Sequence, residues 1–157
     1  MADKKAAIAQ TDQYDLIAER EVVAACVQGD PFKVLGKVDP SDFYDAGNFH
    51  IISAIQNMAQ NGDVITFASV CNKLKINGKF TLPVENILNE AFEYPKVDAE
   101  AAATIVKDKS KLRELRDIFL TKIEVIDSGR GEPEKLVGTA ISECSNVSAT
   151  SKNSRRH

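Results

Sequence analysis

Apolar and polar residues alternate along this chain at the period of helices, and small punctuating residues divide the pattern into segments. Leu16, Ile17, Val23 and Val27, with neighbouring alanines, predict a first helix over Asp15–Gln28 that Gly29 ends. Pro31 suits the first turn of a short helix carrying Phe32, Val34 and Leu35. Asp39 and Pro40 repeat the device, an acid as N-cap and a proline at the first helical position, ahead of Asp42, Phe43 and Tyr44. Gly47 and Asn48 open the next helix. Its stripe of Phe49, Ile52, Ile55 and Ala59 is flanked by Ile51 and Met58, and Asn61-Gly62 forms a left-handed cap. Thr66 then caps a helix with Phe67, Val70 and Leu74 inside, stopped at Asn77-Gly78. Pro83 starts another, with Val84, Ile87, Leu88 and Ala91 on its inner side.

The last third differs. From Asp98, read as an N-cap, neither proline nor glycine occurs before Gly129. Thirty helical residues span roughly 45 Å. Ile105, Leu112, Phe119 and Ile126 recur every seven residues, with Leu115, Ile118 and Ile123 beside them. Gly129 to Gly131 make a turn, and Pro133 restarts a helix whose stripe is Leu136, Ala140, Ile141, Cys144 and Val147. Facing stripes on consecutive helices predict an antiparallel hairpin. Its apolar face is wider than one partner helix covers. The fold class is therefore all-α: a flexible tail (1–12), a small helical head (13–110), a hairpin used for self-association (111–148) and a linker or frayed tail (149–157).

Composition agrees with a soluble helical domain: 157 residues, 43% apolar, 27% charged and no tryptophan. The net charge of −3 argues against direct, specific nucleic-acid binding, leaving the Lys152, Arg155 and Arg156 tail as the place for weak contact. Mixed charge runs such as 107–109 and 113–117 read as solvated helix faces. Cys26, Cys71 and Cys144 are odd in number and widely spaced, so they read as buried small hydrophobes in a reducing compartment rather than a zinc site. No stretch resembles a signal peptide or a membrane span, and a cytoplasmic location is expected.

Chemistry-bearing patterns are few. His50 has no metal-ligand neighbours at a useful spacing and reads as a hydrogen-bonded residue near the helix start beside Asp45. Asp42 reads as a cap followed by two core aromatics, and Glu85, Glu90 and Glu93 as a solvated face. No Gly-x-x-x-x-Gly-Lys-Ser/Thr phosphate loop occurs in the chain, and Gly129-x-Gly131 is too short to cradle a phosphate. No catalytic residue, metal or cofactor is assigned. The self-association set is Leu112, Leu115, Phe119, Ile123 and Ile126 on the first hairpin helix and Leu136, Ala140, Ile141 and Cys144 on the second. About half of these side chains are expected to meet another subunit. Arg113 and Arg116, one turn apart, are candidates for contacts with a partner's carboxylates.

The joints carry a resemblance. Asp42-Phe43-Tyr44, His50, Gly62, Thr66 and the Ile105–Lys109 stretch with Arg113, in this order, resemble the N-terminal domain of DnaB-type replicative DNA helicases over roughly Asp15 to Val147. Thr66 stands where that family often has an acidic cap, and Phe80–Leu88 lacks its usual glycine pair and tyrosine. Both departures suggest a divergent member, such as a phage-encoded one. The resemblance implies a non-catalytic domain that pairs through its hairpin as a homodimer, with a hexamer as a trimer of dimers. It also implies a collar that docks the C-terminal domain of primase, or a helicase loader, during DNA replication. Two rivals stand beside this reading: a free-standing regulator of the same fold that loads or blocks a helicase ring, and an unrelated helical enzyme with a site of scattered Glu and Lys.

Overall fold

The computed structural model describes residues 13–28, 31–94 and 98–153. Seven α-helices and one 3-10 turn follow in order: α1 Leu16–Gln28, α2 Phe32–Leu35, the turn Pro40–Asp42, α3 Ala46–Gln60, α4 Phe67–Ile76, α5 Leu82–Glu93, α6 Ala99–Asp127 and α7 Pro133–Asn153. No strand occurs among the described residues. The all-α reading holds. The expected tail (1–12) and the Gly29 stop lie outside the described residues.

Local chemistry explains most boundaries. Asp45 caps α3 by accepting from Asn48 N–H, and Asp98 caps α6 through Ala101 N–H. Thr66 and Ser69 exchange a reciprocal pair of hydrogen bonds, so a threonine does here what an acidic cap would do. At the end of α3, Gly62 takes φ 73°, and Asp63 N–H reaches back to the Met58 carbonyl at 2.9 Å. The same closure recurs at Gly78, where Lys79 N–H meets the Leu74 carbonyl at 2.8 Å.

α1 is the hub of the head, packing on α2, α3, α5 and α6. Its buried residues are small, Ala18, Val22, Val23, Ala24 and Cys26 among them, and they let neighbouring helices close in. The expected inside positions Leu16 and Ile17 are instead exposed, at 41% and 67%. The reason is Glu19. This helix turns its one deeply buried acid inward, and Ile17, two residues earlier, then falls roughly 200° around the axis. On α3 the buried face is Ile51, Ile52, Ala54, Ile55 and Met58, while Phe49 sits at the rim. Phe32 is likewise exposed beside buried Val34, and Phe67 packs edge-to-face on Phe92 at the surface.

α6 is one unbroken helix of 29 residues. Its first half buries Ala102, Ala103, Val106 and Ser110 against the head, and its second half leaves the head to pair with α7. The division expected at residue 110 thus falls inside a helix that belongs to both parts. α7 also runs on to Asn153, past the end expected at 148. Small polar residues do not stop a helix when no glycine or proline interrupts them.

Gly62→Ala forces a side chain into left-handed backbone at about 1 kcal/mol. The midpoint of thermal unfolding should fall by about 3 °C by circular dichroism, and an unchanged midpoint would contradict this closure of α3.

Candidate functional site

Two features stand out: a buried polar joint where the head grips α6, and an uncovered apolar face farther along the same helix. The joint begins with Glu19, only 1% exposed. Its carboxylate accepts from Tyr44 N–H at 2.9 Å, Asp45 N–H at 3.2 Å and the Asn48 side-chain amide at 3.0 Å. One acid on α1 therefore fixes the chain entering α3. The second acid is Asp42, 4% exposed. Asp42 Oδ2 accepts from Asp39 N–H at 2.8 Å and lies 3.1 Å from Lys107 Nζ, while Ser110 Oγ donates to Oδ1 at 2.8 Å. Arg113, one turn further along α6, donates to the Asp42 backbone carbonyl at 2.6 Å and to that of Gln13 at 2.8 Å. Lys107, Ser110 and Arg113 form one row of α6 at three-residue spacing, and all three meet Asp42.

Several expectations change at this joint. Phe43 is buried as expected, but Tyr44 is 55% exposed. Its ring stacks on Tyr14 with centroids 4.0 Å apart, and the Arg113 guanidinium lies 5.8 Å from its centroid. Arg113 is thus engaged within the chain, whereas Arg116 is exposed. Lys107 is no solvated residue either, because its side chain is 11% exposed. Glu90 of the acidic run pairs with Arg20. The ring of His50 meets Phe49 edge-on at 5.3 Å, and Asp45 serves Asn48 rather than His50.

Glu19, Lys107 and Ser110 were missed in the sequence. Their signal was polar residues sharing a helical face with buried apolar ones: Glu19 with Val22, Val23 and Cys26, and Lys107 and Ser110 with Ala103 and Val106.

The apolar face lies on the hairpin. Leu115, Leu136, Ala140 and Cys144 are half-buried, in keeping with α7 packing back along α6. A Cβ on Gly131 would meet Leu136 at 2.5 Å and Val125 at 3.3 Å, so the turn itself packs tightly. Lys122 Nζ lies 3.1 Å from Glu143 Oε2 between the two helices. Leu112, Phe119, Ile123, Ile126 and Ile141 remain 51–63% exposed among the described residues. Leu120 and Val137, outside the expected set, are exposed at 41% and 59% and extend the same surface. Surfaces of this kind mark interaction sites.

Among the cysteines, Cys26 and Cys71 are buried and Cys144 is half-buried. Burial pushes the Cys26 thiol up to about 12. Burial also raises Cys71, with Lys75 opposing and Glu85 reinforcing the shift. Among the described residues no group of three His, Cys, Asp or Glu is placed to hold a metal ion. No helix there is long and apolar enough to cross a membrane.

With this geometry in view, comparison with known proteins is decisive. The family model of the DnaB-like helicase N-terminal domain matches residues 11–108. The chain belongs to that family. The matched stretch contains both buried acids, Lys107 and every joint residue from Asp42 to Thr66. Among solved structures, the N-terminal domain of the DnaB helicase from Mycobacterium tuberculosis is similar, with a TM-score of 0.72 at 22% identity. That likeness covers 85% of this chain and 97% of the other. Such coverage exceeds what residues 11–108 alone can supply, so the shared DnaB-domain fold extends into the hairpin. At this identity it speaks to fold. A search of curated proteins finds no match.

Two predictions test this site. Glu19→Ala leaves three donors, the Asn48 amide fully buried, without their acceptor and should cost about 3 kcal/mol in urea unfolding; a loss under about 0.5 kcal/mol would show that the joint is not held this way. At pH 8 a thiol reagent should label Cys144 well before Cys26, because the buried thiol holds its proton. Peptide mapping that finds Cys26 modified first would contradict its placement.

Proposed function

We propose that this chain is the assembly domain of a DnaB-like replicative helicase. It pairs through the hairpin, builds a collar from such pairs, and offers its head to primase or a helicase loader. Family membership supports the setting, and the exposed face of Leu112, Phe119, Ile123 and Ile126 with Val137 and Ile141 carries the pairing. Leu112, Phe119 and Ile126 follow the seven-residue spacing with which helices meet helices. Burying half-exposed Leu, Ile and Phe side chains contributes on the order of 1 kcal/mol each. Six such residues, doubled across a two-fold contact, give on the order of 12 kcal/mol to set against the costs of association.

The polar joint supports the same reading. Lys107, Ser110 and Arg113 lock α6 to the head, so the pairing face has a fixed direction relative to it. A collar needs that fixed geometry. In this proposal the domain contributes assembly and docking, and ATP hydrolysis belongs to a motor domain.

Phe119→Asp puts a charge in the centre of the face, on a side chain already half exposed in one copy. Light scattering should show the mass halved while helix content persists. A mass equal to that of the unaltered chain would remove the hairpin from the pairing surface.

A further inference from the structure

The head carries a second surface that hairpin pairing does not use. α3 and α4 enclose an open groove of about 410 Å³, with Lys79 at its end. Ala54 and Leu74 close its bottom with almost no exposed surface, and the half-exposed ring of Phe49 at one side is the apolar wall it presents. The rim carries Lys73 and Lys79, with the Asn57 and Asn77 amides nearby. No carboxylate lines the groove. Among the described residues, neither lysine forms an ion pair.

Charge here departs from the rest of the chain. Asp63 is the sole acid between Ala46 and Val84, a stretch holding Lys73, Lys75 and Lys79, although the whole chain is net −3. The end of α4 offers about half a negative charge, too little to balance three ammonium groups. Lys75 is occupied over the Phe80 ring at 5.1 Å, which leaves Lys73 and Lys79 facing the groove.

We propose that this groove docks an acidic peptide segment of a partner protein, seating one apolar side chain against the Phe49 ring between carboxylates held by Lys73 and Lys79. The inference rests on the reading of the head as a docking surface and names its position and the chemistry of its partner. A nucleic-acid strand fits less well. Two rim cations on an acidic domain neutralise too few phosphates to hold a strand. A peptide uses both features, the lysines for orientation and encounter, the Phe49 ring for residence.

The test titrates the full 15N-labelled chain with the synthetic peptide Glu-Asp-Leu-Glu-Glu-Phe-Asp-Glu, its all-amide counterpart (Gln for Glu, Asn for Asp), and an oligothymidylate. The acidic peptide should shift amides in 49–57 and 73–79, and the all-amide peptide should bind about tenfold more weakly or worse. The double variant Lys73→Glu with Lys79→Glu should lose a similar factor while its circular dichroism stays the same. No shift up to about 1 mM peptide, equal binding of the amide counterpart, undiminished binding by the double variant, or oligothymidylate binding in the same groove would each overturn the proposal. Sedimentation of the same samples separates the two readings. A pair that ignores the peptide overturns the groove alone, and a monomer that binds it overturns hairpin pairing alone.

Discussion

Glu19 and Asp42 are charged side chains with almost no exposed surface, and each is answered by donors from distant parts of the chain. Glu19, on α1, holds the Tyr44 and Asp45 backbone and the Asn48 amide. Asp42 is held by Lys107 and Ser110 of α6, while its backbone carbonyl takes Arg113. An uncompensated buried charge costs several kcal/mol, so these contacts persist together or fail together. The segment from Asp39 to Asn48 is thereby fastened on one side to α1 and on the other to α6. Tilting α6 against the head would break the Lys107, Ser110 and Arg113 contacts in succession, and the direction of the hairpin is set by that row.

Much of the fold was legible because its boundaries rest on local chemistry. Asp98, Thr66, Gly62 and Pro133 act through backbone groups a few residues away, and each sits where the sequence placed it. Less legible was anything decided by packing between helices. A polar residue in an amphipathic helix reads as surface, yet Glu19 and Lys107 face inward because donors or acceptors from other elements await them. The aromatics misled in the opposite sense. Tyr44, Phe49 and Phe67 look like core, but small and β-branched residues fill the head and leave the rings at its rim.

The candidate surfaces divide in the same way. The seven-residue repeat of Leu112, Phe119 and Ile126 marked the hairpin face in advance, while Leu120 and Val137 joined it only once the orientation of the two helices was known. The groove between α3 and α4 had no sequence motif. It emerges from two helices meeting and from the scarcity of acids between Ala46 and Val84. Assembly and docking would thus occupy separate parts of the molecule, with the polar joint between them.

Sedimentation velocity of the unaltered chain over a micromolar concentration series tests the account most directly. A hairpin that hides its apolar face against a second copy predicts a species of twice 17.2 kDa that gives way to single chains on dilution. A lone 17.2 kDa particle at every concentration, up to about 100 µM, would contradict it.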